Sequence, residues 1–276
     1  MEHHVSDLTQ FVNHYLGQFA LALFNLLHIK PTNPHMPIPE STVMALLVLV
    51  VCTVLALFLR ARLSVERPRA TQQIAELLLT NPLGFGIRDL LDENVGHGAD
   101  SYVPFVGSIS IFILFSNLLG IFPRLAAPTG VVAVPLGCAI LTFFYFNMHG
   151  IRHHGLGGYL GTFAGSPKKI GDWILAVLLF PVEIISTSAR ILSLTVRLWA
   201  NMFASDLIYG IFLSLLAGGA VFGWSKSPVL GVFLSMFPAI IPVAFLGLHI
   251  FVSVVQAYVF TVLPAVYLGL ATADEH

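Results

Sequence analysis

Four ionisable side chains lie inside a long apolar stretch, residues 173–222, where a lipid environment disfavours charge. They are Glu183, Arg190, Arg197 and Asp206. A charge at the centre of a bilayer costs at least about 2.5 kcal/mol, so such residues usually line a path for an ion or a proton. Carboxylates bind and release protons, whereas an arginine side chain stays charged at every physiological pH. Together these residue types predict proton-transfer chemistry around a fixed positive charge.

The spacing of the polar residues predicts that most of them share one face of a helix. At 100° per residue, six polar side chains fall within an arc of about 80°. They are Glu183, Ser186, Arg190, Ser193, Arg197 and Asn201. Asp206 falls on the opposite side. We therefore expect this helix to present a polar stripe to one neighbour and a lone carboxylate to another.

Two simpler interpretations remain open for these charges. Glu183 and Arg190, seven residues apart, can form a purely structural ion pair. Arg197 can extend its side chain to the membrane surface only if it lies near the end of a span. No acidic residue lies three or four positions from Arg197, so a local ion pair does not account for it.

The last apolar stretch adds a second pair of polar residues. His249 and Gln256 are seven residues apart and therefore share a helix face. An imidazole changes charge near neutral pH, which suits a proton relay. A single buried histidine is more often a structural residue, but the polar stripe on the other long segment favours a shared aqueous path.

The elements that position these residues are predicted to be membrane helices. The chain has 276 residues, of which 57% are hydrophobic and 10% charged, against about 25% charged in soluble domains. We expect an all-α membrane protein whose partner is the lipid bilayer. The net charge of −1 argues against a nucleic-acid partner. Cys52 and Cys138 both lie in apolar runs and predict neither a disulfide framework nor a metal site, and nothing in the sequence indicates a cofactor.

About five spans are expected, together with amphipathic surface helices. The predicted spans are 42–59, 104–122 (ended by Pro123), 130–149, 173–222 and 229–271. A single helix over 173–222 would be about 75 Å long, so this segment should either break into two spans or lie steeply tilted. With a turn at 223–228, the last two segments are expected to form a hairpin oblique to the membrane.

The remaining segments are assigned by composition and charge. Residues 1–40 are expected outside the cytoplasm, with a surface-lying helix at 15–29, and residues 41–271 form a single membrane domain. Residues 66–103 are predicted to form amphipathic helix on the cytoplasmic face. Residues 150–171 are predicted to form a loop with a flexible glycine-rich part at 155–161, and residues 272–276 an acidic tail. Eight of the thirteen Lys and Arg residues fall on the proposed cytoplasmic side. The positive-inside rule then places the N-terminus outside and the C-terminus in the cytoplasm.

Several motifs resemble subunit a of the F-type ATP synthases. The run from Ser193 to Asp206, SLTVRLWANMFASD, looks like the signature helix of that family, and the run from His249 looks like its last helix. Further matches are SNLLGIFP at 116–123 and PVE at 181–183. The resemblance covers about residues 36–271. Ala200 and Ser205 stand where the family frequently has glycine, and position 206 is Asp where Glu or His also occurs.

The resemblance implies a non-catalytic stator subunit that forms two offset aqueous half-channels against a ring of c subunits. It implies that Arg197 is the essential stator arginine, with Asn201 and Gln256 beside it. Asp206 and His249 would belong to the outer half-channel and should then face each other. Glu183, Arg190 and Ser193 would lie near the cytoplasmic path. The implied partners are the c ring and the b subunits of the peripheral stalk, in the bacterial inner membrane.

Two other functions remain open on the sequence alone. A stand-alone proton-coupled transporter would need a substrate pocket, and the chain shows no internal repeat of the kind that many transporters have. A passive membrane anchor would leave Arg197 and His249 indifferent to substitution.

Overall fold

The computed structural model describes residues 6–28, 30, 33–64, 68–81, 84–96, 98–122, 125–163 and 172–272. Within these ranges the chain forms helices and contains no β-strand. The helices are α1 Asp7–Leu26, α2 Glu40–Ala61, α3 Ala70–Leu79, α4 Ile87–Val95, α5 Val103–Leu119, α6 Ala133–Phe163, α7 Asp172–Lys226 and α8 Pro228–Thr272. Short 3₁₀ turns occur at Ala99–Ser101 and Pro128–Gly130.

Four stretches of helix in the described ranges are long and apolar enough to cross a membrane. They are Glu40–Ala61, Ala133–Gly161, Ala176–Lys226 and Val243–Thr272, and the shorter apolar helix Val103–Leu119 accompanies them. Large hydrophobic side chains along these helices are exposed, as expected where lipid is the solvent. The prediction of an all-α membrane protein is therefore confirmed.

The chain packs as two compact units, which are described separately. The described residues of the first unit lie within Met1–Cys52, Leu114–Val134 and Leu198–Val255, and those of the second within Thr53–Ile113, Pro135–Arg197 and Gln256–His276.

In the first unit, α1 is tied to the segment that leads into α2. The side chain of Ser6 caps α1 by accepting from the backbone N–H of Thr9. The Asn13 side chain donates to the carbonyl of Ile38 and accepts from its N–H, both at 3.0 Å. The N-terminal helix thus begins earlier than the predicted 15–29 and exposes aromatic residues such as Phe19.

In the second unit, α4 buries one apolar face against parts of α5, α6 and α8. The members of this core include Ile87, Leu91, Val106, Phe146, Leu268 and Ala271. On the other face of α4, Arg88 forms an ion pair with Asp100 at 2.9 Å, and both side chains are exposed. The predicted amphipathic segment, residues 66–103, contains α3 and α4, and α3 exposes Ile74 and Leu77. Its location on the cytoplasmic side stays a prediction.

Two local predictions are wrong. Residues 150–163 are not a loop, because α6 continues to Phe163 through a break at Gly155, whose φ of 71° suits glycine. The hydroxyl of Tyr159 donates to Oδ1 of Asn147 at 2.9 Å, and this contact stabilises the extension. The predicted turn at 223–228 is also too wide, since only Ser227 separates α7 from α8, which begins at Pro228.

The long segment predicted at 173–222 does not break into two helices. Its helix α7 is continuous from Asp172 to Lys226 and contains Pro181. The predicted oblique placement in the membrane stays a prediction. Part of the predicted loop, residues 164–171, and most of the predicted acidic tail, residues 273–276, lie outside the described residues. The same holds for Arg67, Pro123 and Arg124.

Candidate functional site

His249 is held between two helices of the first unit. Its Nε2 lies 3.0 Å from the backbone oxygen of Asn117 at the end of α5, and its Nδ1 lies 2.9 Å from Oγ of Ser205 on α7. A carbonyl oxygen only accepts hydrogen bonds, so Nε2 carries a proton and donates it. The other ring nitrogen, Nδ1, faces the Ser205 hydroxyl.

The end of α5 that receives His249 is fixed by a second hydrogen bond. The Thr129 hydroxyl donates to Oδ1 of Asn117 at 2.6 Å, and both side chains are fully buried. Within the described part of the chain, Nδ2 of Asn117 and Oγ of Ser116 have no hydrogen-bond partner. Buried polar atoms without protein partners commonly bind ordered water. One side of the Asn117 amide is therefore bonded to Thr129, while Nδ2 and the Ser116 hydroxyl are suited to binding water.

Asp206 and His249 line one small cavity of about 30 Å³. The other lining residues are Gly120, Ile121, Ser205, Tyr209, Phe245 and Leu246. This volume accommodates at least one water molecule. The structure therefore brings Asp206 and His249 to the same cavity, and Ser205, the residue that precedes Asp206 on α7, lines it as well.

Two glycines allow the backbone to approach these side chains. A Cβ atom at Gly130 would lie 3.4 Å from Oδ2 of Asp206. A Cβ atom at Gly120 would lie 3.0 Å from Cβ of Ala127 and 3.6 Å from Cε1 of His249. A larger residue at Gly120 would therefore displace neighbours of the imidazole.

A second group of ionisable residues lies in the second unit. Arg190 forms an ion pair with Glu183 at 3.6 Å, and the guanidinium also lies over the ring of Tyr267 at 4.8 Å. The Thr187 hydroxyl donates to the same Glu183 oxygen at 3.4 Å. The i,i+7 pair that the sequence left open as a structural alternative is therefore present. It lines a cavity of about 320 Å³ together with Tyr159.

Arg197 belongs to neither group of lining residues. It is exposed on α7, as are Ser193 and Asn201. Among the described residues no hydrogen bond or ion pair of Arg197 is found. Gln256 is buried, and its Oε1 has no hydrogen-bond partner within the described ranges.

Sequence reasoning missed several residues that hold these groups. Thr129 carried no signal, because it lies in a short turn and acts through Asn117. Tyr159 and Tyr267 are ordinary aromatic residues in apolar runs, and only the packing of the second unit brings them to the Glu183 cavity. Ser205 was visible as a polar residue at a position where glycine is frequent, but nothing in the sequence paired it with His249.

Comparison with known proteins identifies the family. The profile of the family described as ATP synthase A chain matches residues 41–269. The chain is 38% identical over 268 residues to ATP synthase subunit a of Koribacter versatilis, covering 97% of each chain. It is 39% identical over 264 residues to ATP synthase subunit a of Solibacter usitatus, covering 96% of this chain and 99% of that protein. The chain therefore belongs to the ATP synthase A chain family and is a subunit a of the F-type ATP synthase, a membrane-sector component in proton transport and ATP synthesis.

Proposed function

We propose that this subunit is the stator of a rotary proton motor, with two offset aqueous half-channels that open onto a ring of c subunits. Protons enter through one half-channel, travel on ring carboxylates, and leave through the other. The observation that carries the proposal is the exposed Arg197 on an apolar helix. Along α7 it lies between Glu183 and Arg190, which precede it, and Asp206, which follows.

Arg197 suits the role of a barrier between the two paths. A guanidinium attracts a deprotonated ring carboxylate but does not itself release a proton at physiological pH. At 4 Å and an effective dielectric constant of 20 this attraction is about 4 kcal/mol. It is strong enough to favour proton release and weak enough to let the ring step onward. Lysine would be a poor substitute, since its amine loses its proton readily when it is buried.

The two cavities suit the two half-channels. Asp206 and His249 share the first cavity, and a carboxylate and an imidazole are side chains that can accept and donate protons. Glu183 supplies a carboxylate to the larger cavity of the second unit, where Arg190 and Thr187 orient it. Asn201 and Gln256 would then contribute uncharged polar groups near Arg197, and Ser193 would extend the cytoplasmic path.

The same proposal assigns the partners and the orientation. Subunit a acts within a complex, and we assign the exposed polar residues Ser193, Arg197 and Asn201 of α7 to the c ring. We assign other surfaces to the b subunits of the peripheral stalk. The excess of Lys and Arg on alternate loops supports an N-terminus outside and a C-terminus in the cytoplasm of a bacterial inner membrane. The subunit would carry protons, while ATP is made elsewhere in the complex.

Passive proton conduction tests this assignment. The chain alone, and the membrane sector with its c ring, would be reconstituted into vesicles and driven by a potassium diffusion potential. We expect conduction only when the ring is present, and we expect Asp206→Asn to reduce it strongly. Asp100→Asn is the matched control, since Asp100 is an exposed carboxylate paired with Arg88 in the second unit. Conduction by the chain alone, or equal conduction by the two Asp variants, would contradict the half-channel proposal.

A further inference from the structure

Ser205 lines the same cavity as His249 and contacts its imidazole. The contact of Ser205 Oγ with Nδ1, at 2.9 Å, joins residues that are 44 positions apart and lie on different helices. The other ring nitrogen is engaged with the Asn117 carbonyl at 3.0 Å. The imidazole is itself buried, with 6% of the residue exposed. The hydroxyl therefore contacts the ring nitrogen that is not engaged by the Asn117 carbonyl.

We propose that Ser205 is a proton-relay residue, and that its hydroxyl passes protons between water in the Asp206 cavity and Nδ1 of His249. The inference rests on the proposed proton path and adds a residue to it. A hydroxyl is suited to this task because it donates and accepts at once. No other side chain among the described residues is recorded in hydrogen-bond contact with Nδ1 of His249.

The relay step conserves protons. A hydrated proton in the cavity passes to Oγ of Ser205 as the proton of the hydroxyl passes to Nδ1. The O–H bond is thereby replaced, the water is left neutral, and His249 becomes an imidazolium with Nε2 still bonded to the Asn117 carbonyl. In the reverse step, Nδ1 returns a proton to Oγ and the hydroxyl releases one to water or to the carboxylate of Asp206.

The groups around His249 leave few competing proton donors. Asp206 and Tyr209 are the ionisable side chains that line the cavity with it. The facing residues from α5 and the 3₁₀ turn, Asn117 and Thr129, are uncharged. Asp206 is exposed, whereas His249 is buried, which fits an order from Asp206 and water to Ser205 and then to the imidazole.

The test compares isosteric residues at position 205 in the complete, reconstituted ATP synthase. Ser205→Thr keeps the hydroxyl, whereas Ser205→Val replaces it with a methyl group of nearly the same shape. Positioned proton transfer typically contributes at least about a hundredfold to a rate, and water can replace part of it, so we expect Val to slow proton-driven synthesis by roughly tenfold or more. We expect Thr to stay within about threefold of the parent.

A second readout separates a relay from a packing role. The pH on each side of the membrane would be varied independently at constant membrane potential. For Ser205→Val, we expect the deficit to grow as pH rises on the side that supplies protons to this cavity, because protons are then scarce. Variation on the opposite side should leave the ratio of Val to Thr rates unchanged.

The outcomes distinguish this inference from the proposed function. Equal rates for Thr and Val, whether both high or both low, would overturn the relay. Arg197→Ala in the same assay tests the wider proposal. Lost synthesis in that variant, together with equal Thr and Val rates, would remove Ser205 alone from the path. If Arg197→Ala still synthesises ATP, the proposed rotary mechanism itself is contradicted.

Discussion

Replacing Thr129 with valine removes one hydroxyl and keeps the shape of the side chain. In the parent protein that hydroxyl donates to Oδ1 of Asn117 at 2.6 Å, and neither residue is exposed. Nδ2 of Asn117 already has no partner in the described part of the chain. In the variant, neither polar atom of the Asn117 side-chain amide therefore has a protein hydrogen bond. For a buried group this lowers the local stability by about 1–3 kcal/mol.

Hydrogen exchange of the purified complex measures this cost locally. The amides of Gly130 and Val131 are bonded to the carbonyls of Ala127 and Pro128 in the same 3₁₀ turn. A loss of 1–3 kcal/mol lowers their protection by roughly five- to 150-fold, since each 1.4 kcal/mol is tenfold. Because Asn117 positions the carbonyl that receives His249, we also expect proton-driven synthesis to fall.

Two controls make the result specific. Thr142 is also buried, but its hydroxyl donates to the Cys138 carbonyl of its own helix, so Thr142→Val should leave the protection of the turn unchanged. The double variant Asn117→Leu with Thr129→Val removes both partners and should regain much of the lost protection. Unchanged protection in Thr129→Val, or an equal loss in Thr142→Val, would refute this account of the α5 end.

Two further predictions concern the second unit. Tyr159→Phe removes the hydroxyl that donates to Asn147. We expect α6 to lose about 1 kcal/mol of local stability, which would be measured as faster amide exchange beyond Gly155. Unaltered exchange would show that this hydrogen bond does not stabilise the extension of α6. Glu183→Gln should leave assembly intact, because an ion pair with Arg190 whose side chains are 29% and 41% exposed contributes at most about 1 kcal/mol. The same variant should slow ATP-driven proton pumping in vesicles, since its cavity loses its carboxylate, and unaltered pumping would leave the pair a purely structural role.

The membrane helices and their polar positions could be predicted because a helix in lipid consists almost entirely of apolar residues, so each polar residue within it is easily recognised. A charge within 173–222 is costly in an apolar solvent, so it stands out in the sequence. The seven-residue spacing of His249 and Gln256 indicates one helix face. The extension of α6 was missed because glycine-rich sequence disfavours helix. The contacts of Tyr159 with α6 residues outweigh that local preference.

The hydrogen bonds of the candidate site could not be predicted from local sequence. His249 lies 44 positions from Ser205 and 132 positions from Asn117. Neither spacing has a helical or turn periodicity, so only the packing of the first unit brings the three residues together. Thr129 was still harder to predict, because it contacts Asn117 and not His249, and affects the imidazole only by way of Asn117.

The central claim is that the fixed charge of Arg197 couples proton flow to rotation. The most direct measurement is ATP synthesis in vesicles that contain the complete complex and carry an imposed proton gradient. Arg197→Ala and Arg197→Lys would be compared with Arg88→Ala, an exposed arginine of α4. We predict that both Arg197 variants assemble and hydrolyse ATP but synthesise no more than uncoupled vesicles, while Arg88→Ala synthesises at the parent rate. Synthesis by Arg197→Ala at the rate of Arg88→Ala would contradict the account.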